Sequence, residues 1–111
     1  MATSSRDLAG DPFDALGDPN RREILRLLGE GDKAVTELAA AMPISRPAVS
    51  RHLRLLREAN LVIERAEGTR RIYRLREEGL EAVRVYLDQL WGDVSARFSL
   101  LADNTNPETH A

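Results

Sequence analysis

The residues most suited to chemistry lie between Ser45 and Asn60, in the stretch SRPAVSRHLRLLREAN. Arg46, Ser50, Arg51 and Arg54 follow one another at steps of four, one and three, so on a helix they share one side. An arginine carries five N–H donors in a planar fork that matches a guanine edge or a pair of phosphate oxygens. Such a face recognises rather than catalyses. The rest of the chain offers no reacting group: it has no Cys, and its two His residues, His52 and His110, have no partners at ligand spacing. There is also no phosphate-binding glycine loop and no acid–base pair, so an enzyme is not expected. No metal ligand set and no cofactor is expected either.

A charged helix face is most often only a solvated face, and the case for recognition rests on what surrounds it. Ser45 can cap the helix, Pro47 fits just inside the start, and Val49, Leu53 and Leu56 form a stripe for burial. Asn60 can adopt the left-handed conformation that ends a helix, with Leu61 folding back as the hydrophobic contact. The charge is distributed in the same sense. From Arg46 to Arg76 there are nine Arg against three Glu, net +6, between flanks of −3 and −5, although the whole chain of 111 residues is only −2. Fifteen of the sixteen basic residues are Arg, which suits forked recognition of phosphate or guanine and fits a bias in genomic base composition equally well. A basic middle between acidic ends is the electrostatic footprint of a nucleic-acid surface.

The remaining elements are those that would position this helix. Residues 1–11 are small and polar, an expected disordered arm without the apolar run of a secretion signal. Pro12 to Leu16 reads as a short helix with Phe13 and Leu16 as anchors. Asp18 and Pro19 start a second helix with Ile24, Leu25 and Leu28 on its buried stripe. Thr36 to Ala41 reads as a third helix, capped by Thr36 and packed through Leu38 and Ala39. Met42-Pro43-Ile44 is a tight turn, because proline cannot continue the preceding helix. Two helices around that turn, the second polar outside, make a helix-turn-helix. Two runs of β-formers follow, 61–65 and 71–75, with Gly68 at the turn and Arg65, Thr69, Arg70 and Arg71 near the tip. This hairpin reads as a wing, within which Tyr73 packs.

From Glu77 to Ala102 a long helix carries Leu80, Val83, Leu87, Leu90, Val94, Phe98 and Leu101 at near-heptad steps. With Tyr86 and Trp91 this is more apolar surface than one small domain buries alone. The expectation is a homodimer in which this helix, with Phe13 and Leu16, packs on its symmetry mate. Residues 103–111 read as a flexible tail. The fold class is therefore mainly α with a β-hairpin wing, a winged helix-turn-helix of order α-α-α-α-β-β-α spanning 12–102. No apolar run approaches a membrane span, and the expected location is cytoplasmic.

This order resembles the ArsR/SmtB family of winged-helix repressors from Phe13 to Leu101. The stretches that carry the resemblance are DPNRREILRLL (Asp18–Leu28), SRPAVSRHLRLLREANLV (Ser45–Val62) and GTRRIYRL (Gly68–Leu75). Asn60 stands where the family often has Gly, a change that the same helix-ending geometry accepts. The resemblance implies a dimeric transcriptional repressor on inverted-repeat operators in double-stranded DNA. Many members release DNA on binding a metal, but the thiolate sites need Cys in the third helix, where this chain has Leu38-Ala39-Ala40-Ala41. The C-terminal helix site needs His, and Glu77 to Ala102 holds none. The chain thus looks like a metal-independent member with an unknown effector, if any.

On this reading the recognition-helix contacts are Ser45, Arg46, Pro47, Ser50, Arg51, His52 and Arg54, and the wing contacts are Arg65, Thr69, Arg70 and Arg71. Ser45 serves equally as a cap, and His52 divides evenly between DNA contact and packing under the helix. The alternatives are a metal-responsive repressor of the same family and a winged helix used for protein contact.

Overall fold

The computed structural model describes the backbone of residues 10–105 and the side chains of 10–99. Its elements are α1 (Pro12–Ala15), α2 (Pro19–Leu28), β1 (Lys33–Ala34), α3 (Val35–Ala41), α4 (Arg46–Glu58), β2 (Val62–Glu67), β3 (Arg70–Leu75) and α5 (Glu77–Thr105). They form two compact units that divide between Glu81 and Ala82.

In the first unit the helix starts are built from side chains that accept otherwise orphaned N–H groups. The Asp11 carboxylate, in the expected arm, accepts from the Phe13 N–H at 2.9 Å. Asp18 accepts from Asn20 and Arg21 at 2.8 and 3.1 Å. The Ser45 hydroxyl accepts from Ala48 at 3.2 Å, with Pro47 inside the first turn. Thr36, expected to cap α3, instead lies in its first turn. The helix begins one residue earlier, at Val35, because Ala34 is held in a strand, and Glu37 reaches back to accept from the Ala34 N–H at 2.7 Å.

At the other end of α4, Asn60 takes a φ of 67°. The Leu61 N–H then bonds to the Leu56 carbonyl and the Asn60 N–H to the Arg57 carbonyl, both at 3.0 Å. This pair of bonds is the Schellman ending, and Leu61 folds back into the core fully buried.

The sheet has three antiparallel strands in the order β1-β3-β2. A two-stranded wing was expected, and the third strand is the addition: Lys33 pairs with Tyr73 and Ala34 with Ile72. Strands β2 and β3 run from Val62↔Leu75 to Glu67↔Arg70, leaving a two-residue loop whose first residue, Gly68, has a φ of 65°. Glycine meets that requirement without steric cost. Ile24, Leu38, Val49, Leu53, Leu56, Leu61 and Val62 form the fully buried centre. In α2 the buried stripe is Ile24, Leu27 and Leu28, and Leu25 is only half-buried. The first turn of α5 packs so closely on the end of α4 that a Cβ at Gly79 would stand 1.8 Å from the Asn60 carbonyl oxygen.

The second unit is the helix beyond Ala82. Along it Leu87, Leu90, Val94, Trp91 (69% exposed) and Phe98 (73%) are exposed. Of the other residues expected at an interface, Leu80 and Leu16 in the first unit are half-buried and Phe13 is exposed. The side chain of Leu101 lies outside the described residues, as do residues 1–9 of the expected arm and 106–111 of the expected tail, including His110. Residues 103–105, expected in that tail, continue the helix. Among the described residues no helix is long and apolar enough to cross a membrane.

Candidate nucleic-acid interface

Helices α3 and α4 and the bend at 42–44 between them form the helix-turn-helix. The outer side of α4 exposes Ser45, Arg46, Pro47, Ser50, Arg51 and Arg54, while Val49, Leu53 and Leu56 anchor the inner side at zero exposure. The helix is thereby fixed from behind and free in front. Arg46 and Arg51 have no hydrogen bond or ion pair to another side chain among the described residues, and Arg54 only approaches Glu58 at 4.0 Å. Ser45 is occupied as a cap while remaining exposed, so one hydroxyl serves the fold and still faces outward.

His52 is the exception among the recognition-helix residues. It is 7% exposed and turned inward, with Nδ1 3.5 Å from the guanidinium of Arg21. Arg21 is itself fixed, its Nε donating to the Ala15 carbonyl at 2.7 Å. His52 therefore ties α4 to α2 and does not stand with the exposed arginines. Burial holds its pKa below the ordinary value, and Arg21 and Arg51 add to this against the opposing pull of Asp18.

The wing arginines are placed differently. Arg65 pairs with Asp32 at 2.8 Å and with Glu67 at 3.4 Å, and Arg70 pairs with Glu37 at 3.3 Å. Arg71 pairs with Glu64 at 2.5 Å, and Arg57 of α4 meets the same carboxylate at 2.7 Å. The Tyr73 hydroxyl also bonds Glu64 and, with the two arginines, keeps that carboxyl below its usual range; Tyr73, largely buried, is pushed up to about 12. Tyr73 thus packs in the hairpin as expected and is tied to Glu64. Thr69 is exposed at the loop. A hollow of about 120 Å³ is lined by Arg46, Thr69, Arg70 and Arg71 together with Ala34, Val35 and Thr36.

The acidic partners Asp32, Glu37 and Glu64 are the site residues that sequence reasoning missed. Arg65–Asp32 and Arg70–Glu37 are each separated by 33 residues, so no local spacing announces them. Among the described residues no three His, Cys, Asp or Glu side chains gather as metal ligands.

A rigidly backed helix with an exposed arginine edge, joined to a basic hairpin, defines a winged helix-turn-helix DNA-binding domain. Residues 18–64 match the family model described as "Bacterial regulatory protein, arsR family". The HTH-type transcriptional regulator Rv2034 of Mycobacterium tuberculosis is 44% identical over 97 residues, which cover 87% of this chain and 91% of that protein. An ArsR-like transcriptional regulator from a Rhodococcus species superposes with a TM-score of 0.71 at 29% identity, covering 93% of this chain and 96% of its own. A homodimeric winged helix-turn-helix DNA-binding domain from Mycobacterium bovis, solved by NMR, gives 0.63 at 33% identity, covering 82% and 83%. The chain belongs to the ArsR family of bacterial transcriptional regulators. It is a DNA-binding regulator and not an enzyme.

Proposed function

We propose that the chain acts as a homodimeric repressor that reads an inverted-repeat operator with two copies of α4 in successive major grooves. The observation that carries this reading is the two-sided character of α4: Val49, Leu53 and Leu56 fully buried, Arg46 and Arg51 exposed without partners among the described residues. Arg46, Ser50, Arg51 and Arg54 take the base edges and nearby phosphates. Arg65, Thr69, Arg70 and Arg71 take flanking phosphate, which positions the protein without reading sequence.

The dimer is supported by the exposed apolar residues Leu87, Leu90, Trp91, Val94 and Phe98 on one helix and by the homodimeric relative. Metal independence is supported by the absence of Cys from the sequence and by Leu38-Ala39-Ala40-Ala41 where a thiolate site would need it.

Selection of purified protein against random duplexes tests the reading. It predicts an enriched inverted repeat with half-sites about 34 Å apart, a dimer in sedimentation, and an affinity indifferent to Zn²⁺ or a chelator. Binding without enrichment, or no binding, would instead favour a protein-contact module, and a response to Zn²⁺ would restore a metal-responsive repressor.

A further inference from the structure

The hollow between α4 and the wing contains a competition that the DNA-binding reading does not by itself require. Three arginines rim it, and one of them, Arg70, is held by Glu37. The same Glu37 oxygen accepts from the Ala34 N–H at 2.7 Å, so the group that starts α3 also neutralises the wing tip. The pairing of β1 with β3 sets this up. Ala34 lies opposite Ile72, which brings Glu37, three residues after one partner, beside Arg70, two residues before the other.

We propose that this hollow is a clamp for one backbone phosphate of the duplex, shared by Arg46 of the recognition helix and Arg70 of the wing, and that Glu37 is its built-in competitor. The proposal rests on the DNA-binding reading and goes beyond it in assigning an affinity-setting role to an acidic residue. When duplex docks, Arg70 exchanges one anion for another, leaving the Glu37 carboxylate for the phosphodiester. Both the arginine and the glutamate side chains are about half exposed, so the pair is weak and the exchange is easy. By holding Arg70 in the free protein, Glu37 opposes docking. Because phosphate carries no sequence information, the opposition applies to every duplex alike and restrains non-specific binding.

Anisotropy titrations of the full chain on a random duplex and on a selected operator test this with wild type, Glu37→Gln, Arg70→Ala and the double variant. Gln keeps an oxygen for the Ala34 N–H, so helical content and melting temperature should be unchanged. Glu37→Gln is expected to tighten binding about two- to fivefold on both duplexes, the size of an exposed pair. The gain must vanish in the Arg70→Ala background. An equal gain with and without Arg70 would reduce Glu37 to a general field effect and overturn the proposal, as would no gain at all. Wild-type protein that binds neither duplex would show instead that the DNA-binding reading itself had failed, and the clamp with it.

Discussion

The recognition helix and the wing both present arginines to solvent, yet they hold them in opposite ways. On α4, Arg46 and Arg51 stand without partners among the described residues, in front of a row of fully buried side chains. On the wing, Arg65, Arg70 and Arg71 are each held by a carboxylate of the same unit. An unpaired fork carried on a helix anchored from behind can give all its hydrogen bonds to base edges. A fork that must first leave a carboxylate gains less from any contact, and phosphate suits it because the exchange is nearly even. The difference assigns sequence reading to the helix and adjustable, sequence-independent grip to the wing.

The largest perturbation removes the support of the helix rather than its outer face. Leu53→Ala empties a fully buried position, and about 2–5 kcal/mol of stability should be lost. Thermal or urea unfolding reads this directly, and binding to all duplexes should weaken with it. Arg51→Ala leaves the fold intact and should cost roughly 1–3 kcal/mol on the selected operator. Its affinity for random duplex should change far less, so the preference between the two collapses. Arg70→Ala should weaken operator and random duplex alike, by a few-fold, and lower the slope of log affinity against log salt by about one. If Arg70→Ala altered sequence preference while Arg51→Ala did not, the division between helix and wing would be reversed.

The smallest effect concerns pH. The folded pKa of His52 lies below the ordinary value of 6.5, so the unfolded chain binds the extra proton first as pH falls. The stability contributed by neutral His52 is therefore complete above about pH 6.5 and is lost on acidification towards the folded value. Glu64, also held low, titrates below its own ordinary value of 4.5 and leaves the interval from 6.5 to 5 to the histidine. The melting temperature should fall across that interval in wild type, and His52→Gln should flatten the fall. Asp18, Arg21 and Arg51 are the charged groups around the ring, and the two arginines make its protonation the more costly.

What could be read in the sequence were features decided within a few residues. Ser45, Pro47, Asp18 and Pro19 mark helix starts because a cap satisfies N–H groups two or three positions away. Asn60 marks an ending for the same local reason, and the period of Val49, Leu53 and Leu56 fixes which side of α4 is buried. What could not be read is set by pairing across the chain. Lys33 and Ala34 are too few and too ordinary to announce a strand; only their register with Tyr73 and Ile72 makes them one. That strand moves the start of α3 from Thr36 to Val35 and brings Glu37 to Arg70. His52 has the same origin, since its inward turn depends on Arg21, 31 residues away. The outward arginines were legible as a face, and their state of engagement was not.

Whether α4 and the wing bind duplex DNA, with the helix reading the sequence, is decided by one titration. Wild-type affinity for the selected operator and for a scrambled duplex should be measured from 50 to 200 mM salt. With six to ten phosphates contacted, affinity for both should fall by about 10³–10⁵-fold while the operator stays preferred throughout. A flat salt response, or a steep one with operator and scrambled duplex indistinguishable at every salt concentration, would rule out sequence reading by α4.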